Sequence, residues 1–596
     1  MDVNMQTVEV KINGQSYNMN EDMTILEACE SVGIKIPTLC YLKGICEEGS
    51  CGICVVEVKK FKALRRACIT KIMADMEIFT NTPSVREARR TNLELLLANH
   101  PKDCLVCSKS ASCDLRKLTE DFGLKESRFE KTRAKDFEID ISSPSIVRDP
   151  NKCILCRRCV EVCSKVQKVN AICIANRGSN STVSTSFEKG LGNVECTNCG
   201  QCVLVCPTGA LTEKEYIEDV WKELAEPEKF VIVQTAPAVR ASIGEEFGLP
   251  AGTLVTGRMV AALRRVGFKK VFDTQFSADL TIMEEGSELL HRLNSKGVFP
   301  MITSCSPGWI KFIEHFYPDL IGHLSSCKSP QQMFGAVAKT YYAEKLGIDP
   351  RKMVVVSIMP CTAKKFEARR PEFDSAFNYW QEKGTIKDIT AFSDIDYVLT
   401  TREAAKMIKE GGIDFIHLKD EDFDAPLGMS SGAGVIFANT GGVMEAAIRT
   451  AYELVTGKSL EKLECKSIRG LDGIKTADID IAGTTIKVAV AHGLSNARIL
   501  LDEIKEGKSP YHFIEIMACP GGCIGGGGQP YNASEYSGTE LRKKRASAIY
   551  KEDEGKKVRK SHENEEIKAL YKEFLGKPLG EKSHKLLHTK YTKRGI

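Results

Sequence analysis

Between positions 153 and 206 the sequence repeats one spacing of cysteines. CILCRRCVEVC supplies Cys153, Cys156, Cys159 and Cys163, and CTNCGQCVLVCP supplies Cys196, Cys199, Cys202 and Cys206; each reads C-x2-C-x2-C-x3-C. A doubled run of closely spaced thiols constrains this chain more than any apolar pattern, because thiols so placed need a metal centre to gather around. The chain carries 24 cysteines in 596 residues. Its first residues, MDVNMQTVEVKINGQSY, alternate apolar and polar types and predict a strand, not a secretion signal. No stretch approaches about 18 uninterrupted apolar residues, so no membrane span is expected. The expected location is the cytoplasm, where metal explains so many thiols better than disulfides do.

The length implies several domains of roughly 100–200 residues. Charged residues make up 27% and the formal net charge is +4, a balance that asks for no nucleic acid. Residues 1–82 alternate in short runs around one helical stretch and predict a small α+β domain. Residues 83–125 are charged and helical in period, and 126–215 comprise a mixed-charge linker followed by the repeat. Residues 216–596 alternate apolar runs (FVIVQTA, MVVVSIMP, KVAVAHG) with helical segments, which predicts a large α/β unit. Its last forty or so residues are lysine-rich and are expected to wrap the surface, as a solvated basic face or a dock for acidic partners.

Two further constellations precede the repeat. Cys40, Cys51, Cys54 and Cys68 lie in CYLKGICEEGSCGICVVEV and RRACIT; a loop of thiolates with a distant fourth resembles the plant-type [2Fe–2S] ferredoxin pattern, and its spacing is closer to the ferredoxin-like domain at the front of complex I's iron–sulfur subunit. Zinc is the alternative, but the Gly-Ser-Cys-Gly loop offers backbone amides to bridging sulfides, which zinc does not need. His100, Cys104, Cys107 and Cys113 in HPKDCLVCSKSASC suit zinc or a [4Fe–4S] cluster by spacing alone. Their position beside other clusters favours the cluster, since a redox-inert ion would interrupt an electron path. The doubled run itself resembles the bacterial two-cluster ferredoxins. That resemblance implies that the fourth cysteine of each run crosses over, giving Cys153, Cys156, Cys159 and Cys206 for one [4Fe–4S] cluster and Cys163, Cys196, Cys199 and Cys202 for the other.

The C-terminal two thirds must supply the source or sink of electrons for such a relay. Cys305 in TSCSPGW, Cys361 in MPCTAKKFE, and Cys519 and Cys523 in MACPGGCIGGGGQP follow strand-like runs, where α/β sheets place ligand-binding loops. The glycine run from Gly525 to Gly528 lacks the Lys-Ser/Thr of a phosphate loop, and is expected to let backbone approach a bulky cofactor. These three segments resemble the signature segments of the [FeFe]-hydrogenases, and the whole chain is similar to the large clostridial type with four accessory clusters, apart from an extra stretch, Phe377 to Phe392. The resemblance implies an H-cluster, a [4Fe–4S] cubane joined through a cysteine sulfur to a two-iron unit with CO, CN⁻ and an azadithiolate bridge, which interconverts H2 with two protons and two electrons. It implies Cys361, Cys519 and Cys523 as cubane ligands, Cys523 as the bridge, and Lys364 as donor to a cyanide. Pro237, Ala238, Gln331, Met359 and Met517 match positions lining the cofactor, with Ala238 where the family often has Ser. Cys305, Glu285, Ser325, Glu288 and Arg292 match its proton relay; a solvated helix face is the alternative for Glu284, Glu285 and Glu288.

The first segment departs from the family, which normally has Cys-Cys-Pro; here Ser306 stands before Pro307. Cys305 then aligns with the relay, and three readings of the fourth cubane ligand stay open. Ser306 coordinates as an alkoxide, Cys305 swings in and surrenders the relay, or the cluster is incomplete or modified. Cys29, Cys46, Cys173, Cys327 and Cys465 match no ligand position, so packing is expected of them. The expected partners are ferredoxin or flavin-bearing subunits, with H2 and protons as substrates and maturation enzymes to build the two-iron unit. Three other functions compete. A sensory relative would be expected to lose relay residues, and an iron–sulfur assembly factor lacks the long relay. A complex I-like carrier leaves MPC and MACPGGC unexplained.

Overall fold

The alternation in TVEVKI becomes a strand, Thr7–Ile12, whose side chains are exposed and buried in turn. It is the second strand of a five-stranded sheet in the order Gln15–Asn20, Thr7–Ile12, Met76–Phe79, Val55–Val58, Arg65–Arg66. The helix Ile25–Ser31, held at its start by a Thr24–Glu27 capping box, packs Ile25, Leu26, Ala28 and Cys29 onto this small core. The computed structural model describes residues 6–132, 136–295, 297–386, 390–460, 462–481, 483–531 and 536–595. The extra stretch contributes a helix, Ser375–Lys383, and its residues 387–389 lie outside those described.

The doubled cysteine run folds as two short antiparallel pairs, Ile146–Arg148 with Leu211–Glu213 and Cys173–Ala175 with Thr182–Ser184. Beyond it lie two four-stranded sheets. One is all parallel, ordered Lys270–Asp273, Phe230–Thr235, Met353–Met359, Tyr397–Thr400. Met353–Met359 is buried along its whole length, as a parallel strand covered on both faces has to be. The other is ordered Met301–Ile302, Phe513–Met517, Thr484–His492, Ile474–Ile481, and only its last pair is antiparallel. In a parallel sheet the carboxyl ends of the strands form the natural ligand crevice. Ala236–Pro237, Pro360–Cys361, Thr303–Ser306 and Ala518–Cys519 all leave strands at those ends.

A 22-residue helix, Thr274–Ser295, runs through the molecule between the helices Pro330–Val337 and Gly442–Thr456. The lysine-rich C-terminal segment is more than a surface wrap. Its lysines Lys582 and Lys585 are exposed, but Ile567, Leu570, Leu575, Leu586 and Leu587 join the main core. Each such burial is worth about 1.5–3 kcal/mol, and apolar residues at helical spacing in EEIKALYKEFL are what anchor the segment.

Candidate metal centres and active site

Four groups of thiols come together. In the N-terminal unit Cys54 Sγ lies 3.2 Å from Cys68 Sγ, and Cys40 is within hydrogen-bonding reach of both Cys51 and Cys68. Cys46, in the same loop, turns away and donates to the carbonyl of Cys156 at 3.6 Å, so it packs between this loop and the next centre. Cys104 is exposed, while Cys107 and Cys113 are half-buried; Cys113 accepts from the Arg116 N–H at the start of the helix Asp114–Asp121. The Asp114 N–H donates to the Pro207 carbonyl at 2.9 Å, which seats this unit beside the doubled run. His100 follows the helix Pro83–Ala98 by two residues.

The doubled run encloses two cavities. One is lined by Cys153, Cys156, Cys159 and Cys206, the other by Cys163, Cys196, Cys199 and Cys202. Each takes three thiols from one run and the fourth from the other. Left-handed backbone at Leu155, Arg157 and Asn198 turns the loops around these spaces. Burial pushes Cys159 and Cys202 well above the usual thiol range, with their neighbouring thiols adding to it. Buried thiols this crowded gain from a cationic centre that removes their protons.

A larger cavity, about 800 Å³ with its open mouth, lies at the carboxyl ends of the two sheets. Cys305, Ser306, Cys361, Cys519 and Cys523 all line it, as do Pro237, Gln331, Met359, Lys364 and Met517. Cys199 of the doubled run opens into the same space, so the nearer of the two cluster cavities shares a wall with this one. Burial raises Cys519 well above the thiol range, and the charges of Cys361, Cys199 and Cys523 add to it. The chemistry of the donor set, three clustered thiols in an apolar space with a fourth oxygen donor beside them, fits an iron–sulfur cubane. Ala238 does not line the cavity; it is fully buried beside it, packed with Ala241, Val435, Ala438 and Ile524.

Ser306 precedes the helix Pro307–Phe316 but makes no side-chain cap to it. Its Oγ instead accepts from the Ala518 N–H at 3.3 Å, next to Cys519. Cys305 faces another neighbourhood. Burial, then Glu285 and Glu515, raise its thiol well above the usual range.

Glu284, Glu285 and Glu288 are 0%, 1% and 8% exposed, which overturns the alternative of a solvated helix face. Burial, then the Glu288 charge, pushes the Glu285 carboxyl up to about 8. Glu288 Oε2 accepts from the Ser325 hydroxyl at 2.9 Å, and Oε1 pairs with Arg292 at 2.6 Å. Arg292 is half-buried at the outer end. Cys305 lines the cavity, Glu285, Ser325 and Glu288 are buried, and Arg292 is half-buried beyond them; the Glu285 carboxylate has no hydrogen-bond partner among the described residues.

Some contributors were missed. Glu367 accepts from Lys364 Nζ at 2.8 Å, Gln331 Nε2 at 3.0 Å and Ser329 Oγ at 2.9 Å; its i+3 spacing from Lys364 was the available signal. Lys364 Nζ also donates to the Cys305 carbonyl at 3.2 Å. Buried Glu515 accepts from the Gly441 and Met444 N–H groups, and nothing in EIMACP marks it. The glycine run closely approaches protein backbone, and Gly526 also lines the cavity. A Cβ on Gly526 would meet the Pro360 carbonyl at 2.0 Å and one on Gly527 the Cys199 carbonyl at 2.2 Å. Of the leftover thiols, Cys29, Cys46 and Cys327 are buried, Cys465 is half-buried and packs against the core around the long helix, and Cys173 is half-buried.

Known proteins match along the whole chain. The family "Iron only hydrogenase large subunit, C-terminal domain" covers residues 229–527 and "Iron hydrogenase small subunit" covers 539–594. A 2Fe-2S iron-sulfur cluster binding domain matches 5–83, the NADH-ubiquinone oxidoreductase-G iron-sulfur binding region 89–128, and the ferredoxin-like domain of NADH-quinone oxidoreductase subunit 3 residues 143–212. The NADP-reducing hydrogenase subunit HndD of Solidesulfovibrio fructosivorans is 52% identical, over 99% of this chain and 100% of its own. Iron hydrogenase 1 of Clostridium pasteurianum is 42% identical over 98% and 99%. The [FeFe]-hydrogenase HydA1 of Chlamydomonas reinhardtii, in a variant structure, superposes with a TM-score of 0.56 at 44% identity, covering 64% of this chain and 100% of its own. With iron–sulfur domains ahead of a cavity walled by the thiols of MPC and MACPGGC, and with relatives matched over nearly its full length, this chain belongs to the [FeFe]-hydrogenases.

Proposed function

We propose that the chain interconverts H2 with two protons and two electrons at an H-cluster bound in the large cavity by Cys361, Cys519 and Cys523, with Ser306 at the fourth corner of the cubane. One [2Fe–2S] cluster at Cys40, Cys51, Cys54 and Cys68 and three [4Fe–4S] clusters, at His100 with Cys104, Cys107 and Cys113 and at the two crossed sets, carry the electrons. The single observation that supports this reading best is that the electron side, through Cys199, and the proton side, through Cys305 and Glu285, open on one cavity. When bound, an H-cluster bearing CO, CN⁻ and an azadithiolate supplies the redox iron at which H2 is made or split. The protein's own part is to exclude water with Pro237, Met359 and Met517, to hold Lys364 as a cation at the cavity wall against Glu367, and to move protons. Cys305 and Glu285 hand a proton on, Ser325 and Glu288 receive it, and Arg292 fixes the outer carboxylate.

A carboxyl with its pKa near 8 is suited to this task, since the best proton carrier titrates close to the working pH. Its protonated form prevails below about 8, so delivery toward H2 formation falls as pH rises through that value. The maturated chain, assayed with a viologen dye, should therefore evolve and take up H2. Glu285→Gln, which cannot release a proton, should lose about 10²–10⁴-fold of that turnover. Full activity in Glu285→Gln would remove Glu285 from the path; no activity in the wild type would remove the function.

The relative named as a subunit of an NADP-reducing hydrogenase supports electron exchange with a partner subunit, flavin-bearing and reaching a nicotinamide. Ferredoxin is the alternative acceptor. Among the described residues no helix is long and apolar enough to cross a membrane, and a cytoplasmic location is part of this proposal.

A further inference from the structure

A second kind of ligating cluster lies outside the four groups of thiols. Glu288 Oε2, Cys327 Sγ and His588 Nδ1 all lie within 4.8 Å of one another, and all three residues are buried. They come from three places: the long helix Thr274–Ser295, the loop after Leu324, and the C-terminal segment. Cys327 Sγ stands 3.8 Å from Glu288 Oε2 and 4.0 Å from His588 Nδ1. A tetrahedral zinc ion, with bonds of about 2.3 Å to sulfur and about 2.0–2.2 Å to nitrogen and oxygen, sets such edges at about 3.5 Å. The two edges at Cys327 close to that size by movements of a few tenths of an ångström, and the third, from Oε2 to Nδ1, is within 4.8 Å.

The second shell is already in place. His588 Nε2 is 3.0 Å from Glu284 Oε2, and that carboxylate is held in turn by the Leu579 N–H and the Tyr571 hydroxyl. A carboxylate on Nε2 keeps the ring proton there and leaves Nδ1 an acceptor, the usual arrangement behind a metal-bound histidine. The Ser326 hydroxyl, 2.8 Å away, fills that lone pair. Arg292 occupies Glu288 Oε1, so Oε2 is the oxygen that faces the thiol and the ring. Glu284, Glu285 and Glu288 bring three buried carboxylates to this region against Arg292, which favours an added cation. His584, stacked on His588 at 4.7 Å, is exposed and marks the outer side.

We propose that Glu288, Cys327 and His588 form a binding site for one thiophilic divalent cation of the zinc class. Zinc enters by taking Nδ1 from the Ser326 hydroxyl, Oε2 from its serine donors, and Sγ as a thiolate whose proton leaves to solvent; no electron moves. Because Glu288 also belongs to the proposed proton relay, a bound ion ties the relay carboxylate and stops proton delivery; this consequence rests on the function proposed above.

The test uses matured holoenzyme incubated with zinc chloride and desalted. Metal content by mass spectrometry, and anomalous diffraction at the zinc edge, are read beside dye-linked turnover. The expected result is one zinc per chain more in the wild type than in Cys327→Ala or His588→Gln, with the anomalous peak between the three atoms. Cys327→Ala should keep the zinc-free turnover, which shows that it folds. Equal zinc in wild type and Cys327→Ala, or a peak elsewhere, overturns the site. A zinc peak at the trio with turnover unchanged upholds the site and overturns Glu288 as the proton path. Loss of turnover that a chelator reverses, absent in Cys327→Ala, upholds both.

Discussion

Ser306 stands where a helix start would ordinarily use a serine as a cap, yet its hydroxyl serves the Ala518 N–H instead. That places a hard oxygen donor on the Cys519 side of the cavity and leaves Cys305 on the Glu285 side. The two neighbouring residues divide the work as their side-chain directions demand, and Cys305 ligation would cost the first step of the relay. A hydroxyl releases its proton far less readily than a thiol with its pKa of about 8.5, so serine ligation shifts the cubane's potential. Ser306→Cys should change the cubane's EPR and Mössbauer signals, and an unchanged signal would rule out serine as a ligand. The substitution itself was legible in TSCSPGW. What the sequence could not reveal was the hydrogen bond across 212 residues that fixes the side chain.

At the scale of elements, the strands carry the site. Four segments end at the cavity because their strands run in parallel, and the runs FVIVQTA and MVVVSIMP made that legible from their continuous apolarity. The crossing of the fourth cysteines was legible from spacing through the ferredoxin resemblance, and the two cavities gather those sets. The glycine run was legible as close approach, but the backbone it also meets was not. Gly526 and Gly527 let three loops touch, and the Thr362 hydroxyl bonds the Asn198 carbonyl at 2.7 Å across the same junction. Contacts between backbones distant in sequence leave no periodic trace. Gly527→Ala should force the Cys199 carbonyl loop away and lower stability by about 1–3 kcal/mol, read as a lower thermal midpoint. Gly322→Ala, where an added Cβ meets nothing within 4 Å, should leave the midpoint in place. Equal midpoints for both variants would contradict the tight junction.

Across the whole molecule, both N-terminal units touch the doubled run beside the same cavity. Cys46 bonds the Cys156 carbonyl from the first unit and Asp114 bonds the Pro207 carbonyl from the second, and Cys156 and Pro207 both line the cavity that holds Cys153, Cys159 and Cys206. The chain order of the cysteine groups made their succession legible; these contacts between units were not, because they join residues more than 90 positions apart. The C-terminal segment was legible only by its lysines, while its leucines anchor it in the core and its His588 reaches Glu284. Ala238, next to the cavity-lining Pro237, packs in the small cluster against which Cys523 also rests. The proposed function requires that the large cavity hold a cubane joined to a two-iron unit bearing CO and CN⁻. An infrared spectrum of the chain after maturation tests it most directly, since no protein group absorbs where metal-bound CO and CN⁻ do. Those bands are expected in the wild type and should be lost in Cys523→Ala; a matured wild type without them rules the two-iron unit out.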